Sequence, residues 1–254
     1  MTVLRVPYHL DEYLPDLELP LAPAQLGPVQ TITAELPAGD PWARLAAVYR
    51  RVAAAAAAAA GQGTRPVVAS GDCTTSLGIV AGLQRAGLDP GIVWFDAHGD
   101  VQTPETTASG YLGGMPLRLL TGYRPELIAD DLALRPVPEH RIVLAGARDL
   151  DPPEAAYLAG AAIGQVEVAA LDPARMPDGP LYVHLDLDVI DPSVLPGLRY
   201  PAPGGAAPAD VAQAVGRLAA TGRVAAVGIA CTWRPGQDDA LRIAPYLTDV
   251  LANL

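Results

Sequence analysis

The sequence predicts an α/β protein, a three-layer α/β/α sandwich around a mainly parallel sheet of about eight strands. Three observations carry this expectation. Short β-branched apolar runs recur along the chain, and most are hydrophobic at nearly every position, as strands are when helices cover both faces of a sheet. Helical stretches lie between them. The polar motifs fall at the ends of the apolar runs, where open α/β sheets bind ligands.

In chain order, strands are expected at Val3–Pro7, Thr31–Glu35, Pro66–Ser70, Ile92–Asp96, Arg141–Gly146, Gln165–Ala170, Tyr182–Asp186 and Val224–Ala230. The first helix starts at Asp40-Pro41, an N-cap followed by Pro in the first turn. It runs through the alanines of Ala53–Ala60 and stops at Gly61. That run reads as a strong helix former that permits close packing. Further helices are expected at Ser76–Ala86, Pro153–Ala161, Ala207–Ala220 and Asp238–Leu251, with Pro201–Pro208 as a loop. The length suits one domain over residues 1–254.

Composition excludes several partners. The formal net charge is −11, which disfavours a sequence-independent hold on nucleic acid or an anionic membrane surface. No run of about 18 apolar residues suggests a membrane span. The N-terminal stretch lacks a basic start followed by an apolar core, so the cytoplasm is the expected compartment. Of the two cysteines, Cys73 and Cys231, only Cys73 has neighbours that argue for more than a buried thiol. Neither a phosphate-cradling glycine motif nor a nucleophile elbow occurs.

Three segments could carry chemistry. Ile92-Val93-Trp94-Phe95 runs into Asp96-Ala97-His98-Gly99-Asp100. A chain leaving a strand points alternate residues to one side, so Asp96, His98 and Asp100 could converge. Carboxylates with one imidazole suit manganese, iron, nickel or zinc, and a cation removes the repulsion between adjacent acids. Asp186 and Asp188 lie two apart in an otherwise apolar strand. Burying them unpaired would cost several kcal/mol, roughly, per charge, and a metal is the economical explanation. Asp191-Pro192 starts the following turn. His184 alternates with the same pair, where a hydrogen-bonded core histidine is the favoured reading. Ser70-Gly71-Asp72-Cys73, between a strand and a helix, is small enough for close approach, and Cys73 as a thiolate could bind a metal.

Together these strand ends resemble the arginase/agmatinase/formiminoglutamase (ureohydrolase) family over nearly the whole chain. The family shows Gly-Gly-Asp-His, Asp-Ala-His-x-Asp, Ser-Gly-x-x-His-Gly and Asp-x-Asp with a following Asp-Pro. This chain has Ser-Gly-Asp-Cys (70–73), Asp-Ala-His-Gly-Asp (96–100), Ser-Gly-Tyr-Leu-Gly-Gly (109–114) and Asp-Leu-Asp-Val-Ile-Asp-Pro (186–192). The resemblance implies a binuclear centre, usually Mn²⁺, with two ions per chain. Asp96 and Asp186 would bridge, Asp100 and Cys73 would complete one position, and His98 and Asp188 the other. Asp100 and Asp186 would be the catalytic carboxylates beside a hydroxide that attacks an sp² carbon such as that of a guanidinium. It implies a small-molecule substrate and a homo-oligomer, trimeric or hexameric.

Three departures matter. Cys73 replaces the family's usual histidine, and a softer donor could select another divalent metal. A cysteine-bearing branch resembling the hydroxyarginine hydrolases has a loop similar to Ser109–Met115. Gly113 replaces a loop histidine held to shuttle protons. Ile229-Ala230-Cys231-Thr232-Trp233 carries no acid where relatives grip the guanidinium with a glutamate. Conversely, Gly146–Glu154 resembles the arginase segment whose second Asp and Glu hold an α-ammonium group. Asp151 and Glu154 could do so here, or could cap a helix. Thr107 and Ser109 could meet a substrate carboxylate. Gln102, Tyr111 and Thr232 would reshape the pocket. The expected activity is metal-dependent hydrolysis of a guanidino, hydroxyguanidino or formimino C–N bond in an amino-acid-like substrate. The alternatives are a catalytically silent metal-binding or subunit-interaction homologue, and a deacetylase-like enzyme, against which the lack of a His-His pair counts.

Overall fold

The sheet has eight strands, all parallel, in the order β4-β1-β5-β10-β9-β6-β7-β8. The computed structural model describes residues 1–17, 20, 28–230 and 239–252. Its strands are β1 (Thr2–Val6), β4 (Val29–Thr31), β5 (Pro66–Ser70), β6 (Gly91–Phe95), β7 (Ile142–Ala145), β8 (Gly164–Val166), β9 (Leu181–Asp186) and β10 (Val224–Ala230). A separate antiparallel hairpin, β2 (Tyr8–His9) with β3 (Glu12–Tyr13), follows the first strand.

The main helices are α1 (Pro41–Gly61), α2 (Ser76–Arg85), α3 (Pro116–Leu120), α4 (Ala129–Leu132), α5 (Pro152–Gly160), α6 (Pro208–Ala219) and α7 (Asp239–Ala252). Alternation along the strands separates two cores. Leu4, Val68, Ile92, Trp94, Leu144 and Tyr182 pack with α1 and α2 on one face. Val67, Val93, Phe95, Val183 and Leu185 pack with α6 and α7 on the other. Burial on both faces explains why these strands read as continuous apolar runs. No described helix is long and apolar enough to cross a membrane.

Asp40 caps α1, its carboxylate accepting from the backbone N–H groups of Trp42 and Ala43 at 2.8 and 3.2 Å. The alanine run serves close packing. A Cβ on Gly82 of α2 would lie 2.6 Å from the Ala53 carbonyl oxygen and 2.8 Å from the Ala56 Cβ, so the two helices touch where both sequences are smallest.

Some bounds differ from the sequence reading. The strand expected at Thr31–Glu35 is centred earlier, at Val29–Thr31. The one expected at Gln165–Ala170 ends at Val166, and Val168–Ala170 forms a single 3₁₀ turn. Its neighbour dictates this. β7 stops at Ala145, Gly146 turns away with φ 93°, and β8 has nothing further to pair with. Helices α3 and α4 were not expected, being too short to display a helical period. Residue 238, the expected start of the last helix, lies outside the described residues; the described helix begins at Asp239.

Register brings the polar ends together. Ser70 of β5 pairs with Ala230, Ala230 with Asp186, and Phe95 with Leu185. Asp96, the next residue after Phe95, therefore leaves the sheet beside Asp186.

Candidate metal centre

Asp96, Asp186 and Asp188 are each 3% exposed or less, and Asp100 is 5% exposed. Four carboxyl groups crowded in low dielectric cannot all ionise without compensation. Asp96 has the most donors. The Trp94 indole donates to its Oδ2 at 3.0 Å and the His98 backbone N–H to its Oδ1 at 2.7 Å. Burial pushes its pKa up, but the hydrogen bonds and charge of His98 outweigh that and hold it below the ordinary carboxylate value. The others go the opposite way. Burial first, then Asp96, raises Asp188 to about 6. Burial with neighbouring acids raises Asp100 and Asp186.

His98 Nδ1 lies 2.9 Å from Asp188 Oδ2 and 3.4 Å from Asp96 Oδ1. Asp188 Oδ1 accepts from the Ala97 N–H at 3.0 Å, which fixes its rotamer. The donor atoms of Asp96, His98 and Asp188 lie within 4.8 Å of one another. Cys73 follows β5 in a short 3₁₀ turn capped by Asp72. Its thiol donates to Asp186 Oδ2 at 2.8 Å. Burial, then Asp186, Asp100 and Asp96, push the thiol pKa up in the metal-free protein. Asp100 sits at φ 54°, in the left-handed region, and its Oδ2 is buried without a partner among the described groups. An orphaned carboxylate oxygen beside crowded, proton-holding acids is a donor set that divalent cations fit.

Cys73, His98, Asp100, Asp186 and Asp188 open onto a cavity of about 230 Å³. Gln102, Thr107, Ser109, Tyr111, Asp151 and Glu154 all line it. Thr107 and Ser109 are tied into the loop by N–H donors from Gly110 and Tyr111. Gln102 Nε2 donates to Asp151 Oδ2 at 2.8 Å. Glu154 accepts from the N–H groups of Val101 and Asp151 at 3.3 and 3.1 Å, so it braces two backbone segments at the start of α5. Thr232 and Cys231 lie outside the described residues.

Sequence reasoning missed four groups. His9 of the hairpin donates or accepts at 3.4 Å to the Tyr111 hydroxyl, and its Nδ1 lies 2.9 Å from the Gly71 carbonyl. Tyr200 tilts against Tyr111 with ring centroids 4.8 Å apart. Asp149 approaches the outer nitrogen of His98 at 3.9 Å. The Trp94 indole reaches Asp96. Only the last was open to strand alternation, since residues two apart share a face.

A family model described as the Arginase family matches residues 12–240. The chain belongs to that family. It is 31% identical over 212 residues to an arginase of Brucella melitensis, covering 74% of this chain and 67% of that one. Its fold superposes on an arginase from Bacillus caldovelox with TM-score 0.81 at 23% identity, covering 100% of this chain and 97% of the other. A formimidoylglutamase from Bacillus subtilis gives 0.69 at 17% identity, with 99% and 85% covered. For this arginase-family chain the expected architecture, a parallel eight-stranded sheet between helical layers, is the observed one.

The titrations yield an expected pH signature. In the metal-free protein His98 is pushed up to about 12: burial opposes this, but hydrogen bonds and charge from Asp188 and Asp96 prevail. The unfolded imidazole loses its proton near pH 6.5, roughly. Above that pH the folded chain holds the extra proton, so stability falls as pH rises, by at most about 1.4 kcal/mol per unit per proton. His184, pushed down to about 3 by burial, has the opposite sign. Its gain with rising pH is complete by about pH 6.5, the unfolded value. We expect thermal melts in chelator to decline from pH 6.5 to about 9. Saturating Mn²⁺ should remove the decline, because metal replaces the protons. A flat profile in chelator would rule out a cationic His98.

Proposed function

We propose that this arginase-family protein, as one domain over residues 1–254, hydrolyses a C–N bond in a guanidino, hydroxyguanidino or formimino group of an amino-acid-like substrate. The convergence of Asp96, His98 and Asp188 beside the Cys73–Asp186 pair carries this reading. Cys73, Asp96, His98, Asp100, Asp186 and Asp188 would hold two divalent ions, Mn²⁺ by family resemblance. When bound, such a pair supplies an activated water at neutral pH and stabilises charge at the attacked carbon.

The chain's own residues define what enters. The pocket walls are polar on the Thr107–Ser109 side, where hydroxyls can meet a carboxylate, and acidic on the Asp151 side. Asp151 is the exposed member of the α5 pair, although it accepts from Gln102 and caps the helix, whereas Glu154 is buried with both oxygens accepting backbone N–H groups. We therefore assign α-ammonium recognition chiefly to Asp151 and a bracing role to Glu154. Tyr111 shapes the remaining wall. A Cβ on Gly113 would sit 2.2–2.4 Å from the Tyr111 ring and hydroxyl, so the ring fills the space of a side chain at position 113. The assembly is a homo-oligomer by the same resemblance, which sedimentation would test.

The deciding experiment screens Mn²⁺-loaded protein against amidine and guanidine derivatives of amino acids, with matching compounds lacking the α-amino group. Asp151→Asn should raise KM about 10–100-fold for substrates bearing an α-ammonium, the worth of one charge-assisted hydrogen bond. It should leave the truncated compounds unaffected. Stoichiometric metal with no turnover across the panel would sink the enzymatic reading and favour a metal-binding homologue.

A further inference from the structure

One buried histidine has no role in the centre described so far. His184 is 2% exposed, two residues before Asp186 on β9, and its Nε2 is buried without a hydrogen-bond partner among the described groups. Leaving an imidazole nitrogen unpaired in a dry site is costly. The rest of the ring is held firmly. Its face stacks on Trp94 with centroids 3.6 Å apart. Its Nδ1 lies 3.0 Å from Ser76 Oγ and 3.3 Å from the Tyr182 hydroxyl, which are themselves 2.7 Å apart. Gly228 of the adjacent strand leaves room for that hydroxyl: a Cβ there would lie 2.1 Å from it. A side chain fixed at one nitrogen and bare at the other is how metal-ligating histidines are oriented.

The imidazole has company. A donor atom from each of Cys73, Asp96 and His184 lies within 4.8 Å of the other two, and all three residues are buried. With Nδ1 engaged by hydroxyls, Nε2 is the nitrogen left for this set. The set differs in kind from its neighbour. Asp96, His98 and Asp188 offer only oxygen and nitrogen, whereas Cys73, Asp96 and His184 offer sulfur, oxygen and nitrogen.

We infer that the centre is chemically asymmetric: Cys73, Asp96 and His184 form a thiolate–carboxylate–imidazole position for a borderline-soft divalent ion such as zinc, sharing Asp96 with an oxygen–nitrogen position at His98 and Asp188. Asp186, whose Oδ2 accepts from the Cys73 thiol at 2.8 Å, would lie beside the same position. Sulfur favours zinc over manganese, and an oxygen–nitrogen set accepts manganese. Cys73 would bind as the thiolate, so the thiol proton now donated to Asp186 leaves to solvent on binding. The inference rests on the metal centre proposed above.

The test reads metal, not turnover. Wild type, His184→Gln and His98→Ala would each be stripped with chelator, checked for folding by circular dichroism, and loaded with one equivalent of Zn²⁺. X-ray absorption at the zinc edge counts sulfur and imidazole ligands, and competition with a chromophoric chelator gives affinity. We expect one sulfur and one imidazole in wild type, with the imidazole retained in His98→Ala. In His184→Gln the imidazole should vanish and zinc affinity should drop by about 10–100-fold or more. An imidazole signal lost in His98→Ala and retained in His184→Gln would overturn the assignment while leaving the centre intact. If His184→Gln does not fold, the His98→Ala spectrum decides alone. Wild type that binds neither Zn²⁺ nor Mn²⁺ would overturn both the inference and the centre beneath it.

Discussion

Replacing Asp188 by Ala should lower metal-dependent turnover by about 10³-fold or more and strip at least one ion from each chain. One ion contributes several kcal/mol of charge stabilisation, roughly, and about 4 kcal/mol is a thousandfold in rate. Asp188 is the better choice among the carboxylates because its loss has one dominant consequence. Its Oδ2 faces His98 at 2.9 Å and its Oδ1 holds the Ala97 N–H at 3.0 Å. Alanine removes both, so Asp188→Asn serves as the control: the amide keeps an oxygen for Ala97 and discards the negative charge. If charge at this point binds metal, Asn and Ala should behave alike in elemental analysis. If Asp188 only shapes the loop, Asn should retain metal and rate, and the assignment fails. In the metal-free state Asp188→Ala should be less stable than Asp188→Asn, since it leaves His98 and the Ala97 N–H without that partner, whereas the amide keeps an acceptor for the Ala97 N–H.

How much of this was open to sequence reading depends on the distance over which each feature is decided. Asp96 and Asp188 stood out because apolar strands end abruptly in acids, and burial of a charge has few explanations. The sheet was legible for the same reason: Pro66–Ser70 and Val224–Ala230 match their expected bounds. β8 was not, because its length is set by where β7 stops, a matter of pairing rather than of local pattern. The partnership of His9 with Tyr111 joins residues about a hundred positions apart, and no spacing rule connects them. His184 shows a different gap. Sequence supports a satisfied core histidine, and half of that holds, since Nδ1 is satisfied; only the fold shows that Nε2 has no partner among the described groups and that the ring lies near Cys73 and Asp96. Glu154 was evenly open between substrate contact and helix support, and its two backbone bonds favour support.

The second large effect concerns the leaving group. A general acid contributes about 10²–10⁴-fold when it protonates a departing amine, and Gly113 supplies none. Nor does Tyr111 substitute well: burial, then the charge of Asp72, raises its phenol above the ordinary value, making it a weaker acid. The rate should therefore depend steeply on the basicity of the departing amine. Across substrates sharing one amino-acid scaffold, those releasing a weakly basic amine should turn over faster than those releasing an alkylamine, by up to about 10²–10⁴-fold. Restoring the acid should flatten this trend, but Gly113→His alone should fail. Its Cβ would fall within 2.4 Å of the Tyr111 ring, which is held by Tyr200 and His9 and has little room to yield. The double change Gly113→His with Tyr111→Ala opens that space and should speed alkylamine release selectively, leaving the weakly basic series almost unchanged. A wild-type rate independent of leaving-group basicity would mean that proton delivery is not limiting, and that another group within the cavity performs it.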